Sequence, residues 1–170
     1  AVVAVVAGAA LLLLVATRPL VGPAPSLAPG DPRATQYVIG SAGEGLRVGD
    51  LAPELEVIGP DGAPAPLLDL DGNPVRLADL RGRPVWINFW ASWCPPCQAE
   101  TPTIRDLAAA YAPQGLEVIG VSVQEATEDD VRAYAEKYEL GYTVAADLDG
   151  DVFRRYRVFG LPTQYFLDEN

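Results

Sequence analysis

A chain of 170 residues, 49% of them hydrophobic, can bury one sizeable core and hardly two. Its net charge of −11 leaves no basic stripe to neutralise phosphates, which excludes nucleic acid, and it disfavours docking on an anionic membrane surface. The chain has two cysteines, no histidine and no methionine, so little is left from which to build a metal site.

The first stretch, Ala1 to Thr17, carries no charge. It falls slightly short of the roughly 20 apolar residues a membrane span needs. The exit, Leu14 to Pro19, has no A-x-A cleavage pattern, which favours a retained anchor over a cleaved signal segment. A buried core helix would show a polar face, and this stretch has none. Either membrane reading puts the rest of the chain outside the cytoplasm, where disulfide chemistry is the norm. Opening on Ala1 and closing on Asn170 inside a strand-like run are features expected of a piece of a longer chain. Residues 18–45 are rich in Pro, Gly, Ala and Ser and read as a tether, leaving 46–170 as the folded domain.

Residues 46–79 predict a small β element. Leu55 to Ile58 and Pro74 to Leu77 are strand-like, and Asp61-Gly62 and Asp71-Gly72 are turn signals. The repeated phrase around residues 59–62 and 70–73 suggests an extended hairpin loop or a local duplication. Pro84 to Trp90 is a near-continuous apolar run, suited to a strand covered on both faces.

Trp90-Ala91-Ser92-Trp93-Cys94-Pro95-Pro96-Cys97 follows and holds both cysteines. Prolines at 95 and 96 suit the first turn of a helix, where a missing N–H breaks no internal bond. That puts Cys94 at the helix N-terminus, where free N–H groups and the dipole favour a thiolate. Cys97, one turn in, is the more shielded. A structural staple is one alternative, although so small a ring removes little chain entropy. Zinc would need four ligands, and copper delivery usually wants Met or His as well as Cys. A CxxC beside a βαβ pattern favours redox chemistry.

The helix through Tyr111 presents Ile104, Leu107, Ala108 and Tyr111 on one face, with Pro102 expected to kink it. Leu116 to Val123 is a second buried-type strand. Thr127 and Asp130 form a capping-box-like start to a helix reaching about Tyr138, with Val131, Tyr134, Ala135 and Tyr138 as its core stripe. A third strand near Tyr142 to Ala146, a short helix near Val152 to Tyr156 and a last strand, Gln164 to Leu167, complete an α/β pattern with a parallel core.

Four phrases together resemble the thioredoxin superfamily, and within it the membrane-anchored TlpA/ResA-like group. They are Val48-Gly49-Asp50-Leu51-Ala52-Pro53, Leu77-Ala78-Asp79-Leu80-Arg81-Gly82, the run from Asn88 to Cys97, and Gly160-Leu161-Pro162-Thr163. The resemblance covers residues 46–170. It implies a thioredoxin-like fold: a central mixed sheet flanked by helices, an N-terminal β-hairpin, and a final strand and helix that would fall beyond Asn170. It implies that Cys94 attacks and Cys97 resolves, and that Pro162 is a cis-proline beside the disulfide. Leu161 would then offer its backbone to an extended substrate, with Trp93 and Pro95 also at the contact surface. Trp90 and Trp93 are expected to shield the disulfide, and Trp86 to be core.

Asn88 stands where typical thioredoxins carry a buried acid, and Asn cannot take a proton. Glu100, one turn after Cys97, matches an acid beside the site in ResA-like proteins. Its other reading is a solvated first-turn residue complementing the helix dipole.

The function expected is thiol–disulfide exchange on exported proteins, with reduction preferred and cytochrome c maturation as a setting. The Cys94–Cys97 disulfide is the redox group, with no further cofactor and no metal. Protein disulfides or dithiols, a membrane electron donor and a monomeric state complete the expectation, with the domain on the extracytoplasmic side of a bacterial membrane. Two alternatives come from other classes. A non-catalytic thioredoxin-fold binding module is opposed by the intact CxxC. A peroxiredoxin-like thiol peroxidase would set its cysteine in a Thr/Ser-x-x-Cys phrase, and here Ala91 holds the hydroxyl position.

Overall fold

A computed structural model describes residues 46–170; the expected anchor (1–17) and tether (18–45) lie outside the described residues. The domain begins with a hairpin of β1 (Glu56–Ile58) and β2 (Pro64–Pro66), in which Glu56 faces Pro66 and Ile58 faces Pro64. This corrects the second arm, which was expected at 74–77. Pro74 makes only an isolated bridge to Leu68, and Leu77–Leu80 is a short 3₁₀ turn. The Glu54 carboxylate accepts the Leu77 and Ala78 N–H groups at 2.8 and 2.9 Å and so holds that turn.

Two prolines in β2 read as strand breakers, yet they cost no bond here. The flanking backbone bonds, Gly59 N–H to Ala63 O and Leu67 N–H to Leu55 O, fall on odd-numbered residues. The prolines sit at even positions, where a two-stranded edge leaves the N–H side outward.

The repeated Asp-Gly phrase builds two successive turns. The Asp61 carboxylate accepts the Ala63 N–H, and the Asp69 carboxylate accepts the Asp71 and Asn73 N–H groups. The chain then climbs as a ladder, Leu67 bonded to Leu55 and Val75 bonded to Leu67, with all three side chains buried. Between the turns, Asp69 bridges Ala145 and the Leu70 N–H reaches Val144 O. The segment thereby covers an edge of the main sheet that would otherwise be open.

That sheet has the order β5-β4-β3-β6, from β3 (Val85–Trp90), β4 (Glu117–Val123), β5 (Thr143–Asp147) and β6 (Thr163–Leu167). β3, β4 and β5 run parallel, and β6 is antiparallel to β3. Period-two alternation splits the sheet into two buried faces. Val85, Ile87, Phe89, Ile119, Val121 and Val123 meet the Leu55 ladder and the short helix α3 (Asp151–Arg155) through Val152 and Tyr156. Trp86, Asn88 and Trp90 lie on the opposite face, with α1 (Pro95–Tyr111) and α2 (Glu128–Lys137). After β6 the described residues hold no further strand or helix.

Helix α1 continues through Pro102 as a single helix, and its buried side is Cys97, Thr101, Ile104 and Ala108. Leu107 and Tyr111, expected in the core, are 38% and 46% exposed. The reason is geometric: the stripe starting from Cys97 advances by four, three and four residues and passes to one side of them. For α2 the expected stripe is right, with Val131 and Tyr134 buried and Ala135 and Tyr138 partly buried against the same cluster. Thr127 caps α2 by accepting the Asp130 N–H, while its hydroxyl donates to the Asp130 carboxylate at 2.8 Å. Asp147, fully buried at the end of β5, accepts the Asp151 and Phe153 N–H groups at 2.8 Å each and starts α3.

Candidate active site

The C-terminal end of a buried parallel strand is where an open α/β sheet places its reactive groups, and β3 ends directly at the cysteines. Cys94 is the N-cap of α1, with Pro95 and Pro96 in its first turn. The Cys97 N–H points at the Cys94 Sγ at 3.3 Å. The two cysteines are joined in a disulfide, with Cα atoms 5.3 Å apart. Cys94 is 3% exposed and Cys97 1%, so the expected order of accessibility holds only narrowly in the disulfide form. Trp90 and Leu161 pack against the same cluster as both cysteines. The Leu161–Pro162 bond is cis. Trp93, by contrast, is 55% exposed, and its indole N–H donates to Gln124 O at 3.0 Å. It stands at the rim of the site, and Pro95 is exposed beside it.

Two features of the rim were not anticipated. Glu125 straps the turn before Cys94: its carboxylate accepts the Ser92 N–H, the Ser92 hydroxyl at 2.8 Å and the Ser122 hydroxyl at 2.9 Å. Gln98 adds a bond from its amide to Ser92 O at 2.6 Å. Glu125 follows the end of β4 as Ala91 and Ser92 follow the end of β3, and that shared strand-end position is the signal that would have found it. The second feature is Phe159, 79% exposed and three residues before Pro162.

Asn88 on β3 and Glu100 on α1 complete the site. Asn88 is 3% exposed and its Oδ1 has no partner. Glu100 departs from the solvated first-turn reading. Its Oε1 is buried without a partner, and its Oε2 accepts from the Gln164 amide at 3.3 Å. Burial pushes its carboxyl above the usual glutamate range, against the pull of that hydrogen bond. Trp86 and Trp90 keep unpartnered indole N–H groups on the same face. Among the described residues no cluster of three His, Cys, Asp or Glu side chains offers a metal site.

A dithiol-capable pair at a helix N-cap, packed beside a cis-proline loop, invites comparison with known proteins. The family model described as AhpC/TSA matches residues 48–170. The chain belongs to the AhpC/TSA family. Within the thioredoxin-fold proteins it sits close to those called ResA. The thiol-disulfide oxidoreductase ResA of Oceanobacillus iheyensis is 41% identical over 86 residues, 51% of this chain and 44% of that protein. The protein of the same name from Bacillus cereus is 33% identical over 127 residues, 75% of this chain and 67% of its own length. Among solved structures, a thiol:disulfide interchange protein DsbE described from Chlorobium tepidum superposes with a TM-score of 0.61 at 32% identity, covering 71% of this chain and 77% of that one. The chain spans about half the length of the first curated relatives it matches.

Proposed function

We propose that this protein exchanges disulfides with exported proteins, chiefly as a reductant, through Cys94 and Cys97. In the dithiol form the Cys94 thiolate attacks one sulfur of a substrate disulfide. That S–S bond breaks, a mixed disulfide forms, and the departing substrate thiolate takes up a proton. The Cys97 thiolate then attacks the Cys94 sulfur, releasing the second substrate thiol and closing the Cys94–Cys97 disulfide. Two electrons have passed to the substrate, and an extracytoplasmic dithiol donor at the membrane must return them. The redox group is the disulfide itself, with no bound cofactor.

The observation that carries this reading is Cys94 as N-cap of α1, its sulfur facing the Cys97 N–H. Helix-end N–H groups stabilise a thiolate, which is both nucleophile and leaving group. The names of the relatives support the same class of chemistry. The cis Leu161–Pro162 segment beside the pair supports Leu161 and Pro162 as the edge that holds an extended substrate, with Trp93 and Pro95 at the rim. Retention at a membrane through residues 1–17, a place on the extracytoplasmic side, a monomeric state and service in cytochrome c maturation complete the proposal. Among the described residues no helix is long and apolar enough to cross a membrane.

A thiol peroxidase is the weaker reading, because Ala91 brings no hydroxyl to the cysteine and Cys97 stands one turn from Cys94. Turnover of insulin disulfides by the reduced protein, lost in Cys94→Ser, is the expected result. Turnover of hydrogen peroxide without turnover of insulin would overturn the exchange reading. The direction is read from the reduction potential, expected nearer the roughly −270 mV of thioredoxin than the roughly −120 mV of a strong oxidant.

A further inference from the structure

We propose that Gln164 is a positioning residue for the exchange site: its side-chain amide holds the Glu100 carboxylate beside the cysteine helix and so governs the pH at which the thiols react. The consequence for the thiols rests on the exchange reading above; the contact itself does not.

Glu100 lies three residues after Cys97, on the same face of α1 one turn along, within reach of the pair's electrostatics. Half-buried, it has one carboxylate oxygen without a partner and the other on Gln164 Nε2. Asn88 faces Gln164 across the β3–β6 ladder, and among the described residues the hydrogen bond to Glu100 comes from the Gln164 amide and not from the Asn88 side chain. On the other side Asn88 faces Gly120, and this flank is full. A Cβ at Gly120 would come within 2.9 Å of Trp90 Nε1 and 3.0 Å of the Tyr142 ring. The row Gly120–Asn88–Gln164 ends on the side chain that, among the described residues, donates to Glu100. A β-branched residue would serve a strand position there at least as well. What glutamine adds is the amide.

Burial raises the Glu100 carboxyl and the Gln164 bond lowers it, with no Lys or Arg contributing. The other titratable groups facing it are Tyr134 on α2, Tyr142 just before β5 and the cysteine pair on its own helix. Both tyrosines are pushed up, first by burial, and stay neutral across the pH range of interest. Gln164, two residues after Pro162, is thus the group that opposes burial and draws the proton affinity of Glu100 down. Without it Glu100 keeps its proton to higher pH, and the thiols lose a like-charged neighbour.

The test follows the Glu100 side-chain carboxyl carbon by NMR through a pH titration of the full chain in its disulfide form, which needs no exchange activity. Gln164→Leu and the length-matched Gln164→Met should each raise the proton affinity of Glu100 by about three- to tenfold, the scale of one long hydrogen bond to a charged group. In the dithiol form, Gln164→Met should move the pH profile of thiol alkylation, and the same change made on Glu100→Gln should not move it. An unchanged Glu100 titration in both variants would overturn the proposal. So would an alkylation shift of equal size with and without Glu100. A chain that fails to turn over insulin yet shows the Glu100 shift would instead remove the exchange reading and leave the contact standing.

Discussion

On one face of β3, Val85, Ile87 and Phe89 are 4%, 0% and 0% exposed and meet aliphatic and aromatic neighbours. On the other face, Trp86, Asn88 and Trp90 are 7%, 3% and 1% exposed, and each keeps a polar atom without a partner. Burial is the same and chemistry is not. Native interiors pair nearly all their buried polar groups, so three orphans on alternate residues of one strand, with Glu100 above them, mark a face not shaped for stability alone. The first face holds the fold together. The second carries the disulfide, Glu100 and the loop that ends in Pro162.

The sharpest way to break this contrast is on the stabilising face. Phe89→Ala should cost about 3–5 kcal/mol in urea unfolding of the disulfide form, the usual loss for a large buried aromatic. Phe89 also stacks near Tyr156 and Tyr165, so little can collapse into the space. A loss below about 1 kcal/mol would mean that this face is not the core. Next in size is the strap at the rim. Glu125→Ala removes the acceptor shared by Ser92 and Ser122 and should cost about 2 kcal/mol, with a slower exchange rate as the turn before Cys94 loosens. Unchanged stability and rate would show the strap to be incidental.

Asn88→Leu tests the other face of the same strand, one residue from Phe89. It removes the orphaned Oδ1. The change in stability should stay under about 1 kcal/mol, in either direction, because no made hydrogen bond to that oxygen is lost. A loss as large as that of Phe89→Ala would erase the distinction between the faces.

The smallest effect belongs to pH. The Glu100 carboxyl is raised by burial above its ordinary 4.5. A raised carboxyl means the fold favours the protonated form, so its contribution is full below the unfolded value and is lost as pH rises through the folded one. Glu100→Gln should therefore be the more stable protein at neutral pH, with the gap closing below about pH 4.5. Asp147 is raised by burial as well and tilts both curves alike, so the difference between them isolates Glu100. A gap that widens towards acid would reverse the sign.

Much of this arrangement was legible from local pattern. Cys94 and Cys97 on a strand-to-helix turn, the apolar runs of β3 and β4, and the stripe of α2 all follow from periodicity and caps within a dozen residues. Pro162 was legible by resemblance alone, since a sequence does not display the isomer. The misreadings share a cause. Pro74 to Leu77 looks like the second arm of the hairpin until the register pairs Glu56–Ile58 with Pro64–Pro66. Leu107 and Tyr111 look like core until the helix is phased on Cys97 and Thr101. Glu125 and Gln164 were missed because their meaning lies in partners at a distance, Ser92 33 residues away and Glu100 64 residues away. No spacing rule reaches that far.

The central claim is that the polar face of β3 serves a Cys94 poised to attack and a Cys97 poised to resolve. Its most direct test is trapping with a disulfide-bonded protein substrate, read by mass spectrometry for Cys97→Ser and Cys94→Ser side by side. The account predicts that Cys97→Ser accumulates a covalent adduct through Cys94 and that Cys94→Ser accumulates little. Equal trapping by the two variants, or trapping through Cys97 alone, would contradict it.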